Sequence, residues 1–489
     1  MKKITKYLTG MMLAIAITAN AETEKPNIVV IYADDLGYKD VGYQSDGEYQ
    51  TPVLDQLAKE GMVFTDAYTN AANCQPARAC LLSGNYTPRH HVFAVHSTSR
   101  GPKNKMRLIP IPNRDGLAEK DETIADALKK AGYATGHFGK WHLYSKGGSE
   151  SKGGGGALPS KQGFDVTYDS FGNGPLAEGA KGNQKGPESD PKGVFDLSKQ
   201  ACDFMEKNKE KPFFVYLAHH APHGPYQARN STREKISDLY KACIYDMDAS
   251  VGRVLKKIKD LGLEKKTLVI FTSDNGGTRS QEPLRGNKGS YYEGGIREPM
   301  IAFWPGVIKS GSQCSVPVMQ ADYFPTFIDL AGAKTEKELD GESLVPLLKQ
   351  SGELKRKSIF WHMPGYLDKP VKRGRDKTFR TRPVTVMRKG RWKLHLYLEE
   401  WVLDGGKGAI ATNNAVELYD LESDLGEHKN VANENPELRD ALVRELVTWH
   451  GVVEAPIPTE KNPEYDPNAT AKKKSKKDKK NKKSKKENQ

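Results

Sequence analysis

Cysteine is scarce in the 489-residue sequence, with only Cys74, Cys80, Cys202, Cys243 and Cys314. Five thiols in so long a chain exclude a disulfide-built scaffold, and an odd number leaves at least one unpaired. Long apolar runs are also missing: the run at 8–17 falls well short of the ~20 residues a membrane helix needs, and no later segment exceeds it usefully. That run lies between Lys2, Lys3 and Lys6 on one side and Ala19-Asn20-Ala21 on the other, so it reads as a secretory signal over 1–21. An exported protein, periplasmic or secreted, is expected. The body of the chain has almost no charge surplus either. The formal net charge of +13 is concentrated at the ends, with eleven lysines in 471–489 against Asp478 and Glu487, and three more lysines in the first six residues. The near-neutral remainder, with no nucleic-acid motif, excludes a nucleic-acid-binding surface. The lysine tail has nothing to pack and is expected to be disordered over 461–489, free to tether the protein to polyanions.

Apolar, β-branched runs at 27–33, 133–138, 213–218 and 267–272 alternate with helical segments. The alternation predicts an α/β fold: a large, mixed but mostly parallel sheet flanked by helices. Each run ends in ionisable or polar residues, namely Asp34 and Asp35, Lys140 and His142, His220 and His223, and Asp274 and Asn275. Parallel strands bring their C-terminal ends to one edge, where such folds bind ligands, so these groups converge. A catalytic domain over 22–365 is expected. A smaller C-terminal subdomain follows over 366–460, an antiparallel sheet (384–388, 392–397, near 417–421) with a helix at 436–450. A long helix at 232–261 is expected to carry Asp246 and Asp248 on its surface. The Gly- and Lys-rich stretches 146–156 and 172–192 read as surface insertions.

Asp34, Asp35, Asp274 and Asn275 offer only oxygen, a donor set for a hard cation and better suited to Ca²⁺ than to Mg²⁺ or zinc. Arg78, Lys140, His142, His223 and Lys288 surround them as cations or proton donors. A metal among convergent cations describes a site for an oxyanion ester, sulfate or phosphate. Cys74 opens a helix, with Pro76 in its first turn and Arg78 one turn further on. By itself it reads either as a committed nucleophile or as a buried thiol beside a helix N-terminus.

Cys74-Gln75-Pro76-Ala77-Arg78, running on to Gly84, resembles the signature of the type I sulfatases, the arylsulfatase-like branch of the alkaline phosphatase superfamily. Gly132 to Gly136, Gly139 to His142, Asn27 to Gly37, Ala221 to His223, Ser273 to Gly277 and Lys288 to Pro299 match further family stretches in order. Gln75 and Ala77 stand where small hydroxylated residues are usual, Lys39 is atypical, and Leu143-Tyr144 replaces a frequent leucine-glycine pair. The resemblance implies an alkaline phosphatase-like fold and one Ca²⁺ per chain on Asp34, Asp35, Asp274, Asn275 and residue 74. It also implies a maturation enzyme that oxidises Cys74 to formylglycine (3-oxoalanine). The hydrated aldehyde has two hydroxyls, one to attack sulfur and one to expel sulfate, which serine could not do. His223 with Lys288 would serve the leaving alcohol, His142 would take a proton from the second hydroxyl, and Lys140 and Arg78 would hold oxygens. Proximity to these motifs adds His91, His220 and His362 as substrate contacts. The implied activity is sulfuric-ester hydrolysis. A sulfated carbohydrate is the expected substrate, because the chain is exported and its basic stretch 369–382 could meet an anionic sugar. A phosphonate or phosphodiester hydrolase of the same superfamily, and a non-catalytic sulfated-glycan-binding protein, are the alternatives.

Overall fold

The computed structural model describes residues 25–144, 156–168 and 187–469. The expected signal segment 1–21, the stretches 146–155 and 172–186, and the lysine tail 471–489 lie outside the described residues.

The apolar runs become the strands Asn27–Asp34, Ala134–Gly139, Phe213–Pro222 and Thr267–Ser273, buried along their whole length. They form the centre of an eight-stranded sheet whose order is Val166–Tyr168, Ala134–Gly139, Phe213–Pro222, Asn27–Asp34, Thr267–Ser273, Met300–Phe303, Met62–Phe64, Ser312–Cys314. The first five strands pair in parallel. Met300–Phe303 then runs antiparallel to both its neighbours, which makes the sheet mixed. These strands show no apolar/polar alternation because both faces are covered. Ile28, Val30 and Tyr32 enter one core cluster, with Leu81, Leu82, Ile124 and Phe324, while Val29, Ile31 and Ala33 enter the other, with Phe204, Cys243, Met247 and Val251. Successive side chains of one strand thus supply both cores. The register sets Asp34 beside Pro222 and Ala33 beside Ser273, so the strands deliver their following residues at one level of one edge.

A four-stranded antiparallel sheet, Ser358–Met363, Val384–Lys389, Trp392–Tyr397 and Val416–Asp420, forms the smaller unit. The helix Pro436–Val452 packs on it through Leu442, Val443, Leu446 and Trp449. A buried ion cluster joins the smaller sheet to the short helix Glu293–Ile296 of the larger unit. Lys393 Nζ lies 2.8 Å from Glu293 Oε1 and 3.0 Å from Glu427 Oε1, with all three side chains fully buried. Replacing Lys393 by methionine leaves Glu427 buried without its lysine and Glu293 with Arg297 as its remaining partner, a loss of about 3–5 kcal/mol. The expected outcome is a lower midpoint of urea unfolding for Lys393→Met, and an unchanged midpoint would remove the cluster from the fold's stability.

The predicted long helix is divided into Asn230–Arg233 and Leu239–Asp260, because Asp238 caps the second by accepting hydrogen bonds from Tyr240 N and Lys241 N. Asp246 and Asp248 are buried rather than on the surface. Asp246 binds Arg229 and Thr232, and Asp248 accepts from Val53 N and Leu54 N at the start of the helix Pro52–Glu60. Residues 461–469, expected to begin a disordered tail, dock instead: Asn462 donates to the carbonyls of Lys103 and Met106, and Asp466 N to that of Asn104. Asp190 and Lys192, assigned to a surface insertion, are buried. All five cysteines are free thiols. No helix among the described residues is long and apolar enough to cross a membrane.

Candidate active site

Four strand ends and one helix N-terminus build the site. Asp34 ends its strand and Asp35 follows in a left-handed turn (φ 66°), while Asp274 and Asn275 follow the strand Thr267–Ser273. Asp35 N donates to Asp274 Oδ1 (3.0 Å) and Asn275 Nδ2 to Asp35 Oδ1 (2.9 Å), which ties the two strand ends together. Gly139 adopts φ 105° and lies against the Ala218 carbonyl, where a Cβ would collide; Lys140 N then donates to that same oxygen (2.8 Å). This turns Lys140 inward, and its Nζ meets Asp34 Oδ2 at 2.7 Å.

Cys74 is the first residue of the helix Cys74–Ser83, whose far end is closed by left-handed Gly84. Its Sγ is 3.6 Å from Asp35 Oδ1 and 3.2 Å from Lys288 Nζ, and Lys288 Nζ also donates to Asp35 Oδ2 (2.7 Å). Arg78, fully buried, donates to Asp274 Oδ2 through Nε (3.1 Å) and Nη2 (2.7 Å), and to the Lys140 carbonyl through Nη1 (2.8 Å). The helix therefore presents residue 74 and its arginine brace together. His223 Nε2 lies 3.6 Å from Asp35 Oδ2, while Nδ1 donates to the Gly224 carbonyl at 2.7 Å.

The electrostatics divide the groups by role. Burial pushes the Cys74 thiol far up, and Asp274 adds to this against Lys140 and Lys288, so the unmodified sulfur is protonated and a poor nucleophile. Burial works against ionised Asp34 and Asp35, but Lys140 and His223 hold Asp34 well down, and Lys288 holds Asp35 down. Asp274 is raised by burial and by its neighbour Asp34. Burial, with Lys140 and Arg78, holds His142 well below the imidazole range, so the ring is a neutral base. Lys288 stays charged: burial alone would lower it, and Asp35 and Asp34 more than offset that.

One ligand atom each from Asp34, Asp35, Cys74 and Asp274 lie within 4.8 Å of one another. Asp34 Oδ1 and Asn275 Oδ1 are buried and receive no hydrogen bond among the described residues. Two orphaned oxygens within a cage of carboxylates fit a hard cation, since an unpaired buried acceptor is otherwise costly.

Three expected substrate contacts fare differently. His362 is a core residue, which corrects that assignment: it is buried, Nδ1 pairs with Thr385 Oγ1 (2.8 Å) and Nε2 with the Pro456 carbonyl (3.1 Å), leaving no nitrogen for substrate. His220 is buried within the strand Phe213–Pro222, three residues before His223. His91 is exposed after the short helix Thr87–His90, its ring 5.6 Å from that of Phe93. The stretch 369–382 is not an open cationic surface. Arg375 and Arg382 pair with Glu399, Glu400 and Glu417, Arg373 holds the carbonyls of Gly426 and Pro283, and Arg380 holds those of Lys369 and Lys288.

The sequence reading missed two supports. Asp40 accepts from Gly37 N, Gln281 and Tyr240 and so braces the turn after Asp35; the Gly-x-x-Asp spacing was its visible signal. Lys192 reaches the carbonyls of His223 (2.7 Å) and Pro225 (3.2 Å), and nothing in its Gly- and Pro-rich surroundings signals that contact.

A mixed α/β sheet that gathers an acidic cage, a buried arginine, two largely buried lysines and two histidines at its C-terminal edge defines a hydrolase of tetrahedral oxyanion esters. The chain belongs to the sulfatase family: the Sulfatase family model matches residues 26–333, and that of the N-sulphoglucosamine sulphohydrolase C-terminal region matches 287–449. It is a type I sulfatase, a sulfuric ester hydrolase, with the alkaline phosphatase-like fold of that family. Human arylsulfatase A (Homo sapiens) is 34% identical, over 88% of this chain and 89% of its own. A sulfatase of Formosa agariphila is 31% identical, over 89% and 90%. The solved structure of Ps i-CgsB in complex with k-i-k-neocarrahexaose superposes with a TM-score of 0.68 at 28% identity, covering 89% of this chain and 95% of that one.

Proposed function

We propose that the chain is a Ca²⁺-dependent sulfatase that removes sulfate from a sulfated carbohydrate through formylglycine at position 74. The observation that carries this reading is the placement of Cys74, a buried and protonated thiol at a helix N-terminus, against Asp35 and Lys288 inside the acidic cage. A thiol so placed is neither a good nucleophile nor a good ligand, whereas an oxygen there suits both tasks. Oxidised to formylglycine, residue 74 supplies in its hydrate two hydroxyls on one carbon, one to attack sulfur and one to expel sulfate. Held by Asp34, Asp35, Asp274, Asn275 and residue 74, Ca²⁺ supplies Lewis-acid stabilisation of oxygen charge.

The chain's own groups do the rest. Lys140 and Arg78 fix the cage and offer positive charge to sulfate oxygens. His142, neutral and with a buried Nδ1 that has no hydrogen-bond partner among the described residues, takes a proton at residue 74. Lys288, held charged, and His223 serve the leaving oxygen. Since His223 Nδ1 donates to Gly224, the proton it delivers is carried on Nε2 of the imidazolium. Asp34 favours that cation, but burial and Lys140 outweigh it and hold the ring below the ordinary imidazole range; a bound sulfate adds negative charge that favours the cation.

For the substrate class, support comes from the oligosaccharide in the Ps i-CgsB complex, now that the 369–382 arginines are internally engaged. Export by the 1–21 signal, a formylglycine-generating maturation enzyme, a smaller C-terminal unit that takes in the strand Ser358–Met363 ahead of residue 365, and a polyanion-binding lysine tail belong to the same reading. The mass of the tryptic peptide containing residue 74, taken from active protein, tests the nucleophile: formylglycine is expected, and an unmodified thiol overturns it. Desulfation assays over positional isomers of sulfated oligosaccharides test the substrate, and activity confined to small aryl sulfates overturns that assignment.

A further inference from the structure

Lys192 is 2% exposed, yet its ammonium has no carboxylate partner among the described residues; it donates only to the carbonyls of His223 (2.7 Å) and Pro225 (3.2 Å). A buried ammonium solvated by two neutral carbonyls is expensive to keep, and burial accordingly pushes it below the ordinary lysine range. What it holds is specific. The carbonyl between its two acceptors is that of Gly224, the acceptor of His223 Nδ1–H at 2.7 Å. Lys192 therefore grips the peptide units on either side of the oxygen that orients the imidazole. Beyond Tyr226, whose hydroxyl lies 2.8 Å from Thr278 Oγ1 and whose ring packs on Tyr240, the turn has few other restraints. Residues 223–228, past the end of the strand Phe213–Pro222, make no backbone–backbone hydrogen bond of the turn or loop kind among the described residues, and His223, Gly224 and Pro225 are partly or wholly exposed. The lysine itself is well founded. It precedes left-handed Gly193, which opens the helix Val194–Lys207, and Asp190 accepts from Asp196 N within that helix while Gly193 N donates to Asp190 O.

We infer that Lys192 is a positioning residue for the reaction: by clamping the His223 and Pro225 carbonyls it fixes the Gly224 oxygen, which holds the His223 ring with Nε2 toward the leaving group. The inference rests on the reading of His223 as a donor to the leaving oxygen. A donor matters most when the departing alkoxide is a strong base and little when it is already stable, so the consequence is a dependence on leaving group and not a uniform loss.

The experiment measures kcat/KM of the full-length, matured enzyme for 4-nitrophenyl sulfate and for phenyl sulfate, whose leaving group is the stronger base. Lys192→Met is expected to lose roughly 10–100-fold on phenyl sulfate, part of the ~10²–10⁴ that general acids contribute, and to lose little on 4-nitrophenyl sulfate. His223→Ala is expected to show the same selectivity, and the double variant to be no worse than His223→Ala alone, as for residues acting through one group. If His223→Ala is selective while Lys192→Met loses activity evenly or not at all, Lys192 is only a structural anchor and the inference is overturned. If His223→Ala itself shows no selectivity, it is the assigned role of His223 that fails. Should Lys192→Met not fold, Lys192→Gln, which keeps an N–H donor without the charge, is judged by the same criterion.

Discussion

Cys74→Ser is expected to lose sulfate-ester turnover by roughly a thousand-fold or more, the scale of removing a covalent nucleophile. The thiol and the hydroxyl are nearly isosteric, and the site has room for either: Sγ touches Asp35 and Lys288 without displacing the brace from Arg78 to Asp274. The fold and the acidic cage should therefore survive, which thermal unfolding checks. What is lost is the second oxygen on one carbon. A serine hydroxyl can bond to sulfur as the S–O bond to the alcohol breaks, with Lys288 and His223 serving the departing oxygen. It has no second hydroxyl from which His142 can take a proton to drive sulfate off. The variant should accordingly be isolated after exposure to substrate with its residue-74 peptide heavier by one sulfuryl group. Cys74→Ala, with no oxygen at all, should show neither turnover nor that mass. Retention of most of the activity by Cys74→Ser would show that position 74 needs only one hydroxyl, and would overturn the formylglycine reading.

How far the sequence shows this site depends on whether the cause of each feature is local. The four central strands were legible because parallel strands covered on both faces must be apolar throughout, and their ends could be aligned because the sheet is parallel. Asp34, Asp35, Asp274 and Asn275 followed from that alignment, and Cys74, Arg78, Lys140, His142, His223 and Lys288 from short motifs attached to it. The features that escaped are set by contacts distant in sequence. Asp248 reads as a surface residue of its own helix, but it caps another helix 194 positions away. His362 precedes Met363-Pro364 in a stretch that looks like a rim, yet Thr385 and Pro456 enclose it. The arginines of 369–382 look like a cationic loop because Glu399, Glu400 and Glu417, which neutralise them, belong to later elements. Lys192 is the sharpest case, since Gly- and Lys-rich composition points outward while packing beneath the His223 turn draws it in.

Stripping the protein of metal is expected to abolish turnover and to lower its unfolding temperature, with Ca²⁺ restoring both and Mg²⁺ restoring them poorly. Three carboxylates place ligand atoms within 4.8 Å of one another. Two unit charges at such a distance repel by about 3–4 kcal/mol at an effective dielectric of ~20. Lys140 and Lys288 offset part of this by bonding one oxygen each of Asp34 and Asp35, and Arg78 binds Asp274. They leave Asp34 Oδ1 and Asn275 Oδ1, both buried, without a donor among the described residues. A cation satisfies those oxygens and the residual charge together, and binding only the folded chain it stabilises by about 2.7 kcal/mol at a hundred times its Kd. The preference for Ca²⁺ follows from a cage supplied wholly by protein oxygens, since Mg²⁺ gives up its waters reluctantly and demands a tighter octahedron. Calorimetric titration of the stripped protein should show one Ca²⁺ per chain, and Asp34→Asn should weaken that uptake without unfolding the chain. No uptake by the stripped protein would remove the metal from this site, and equal rescue by Mg²⁺ would remove calcium as its occupant.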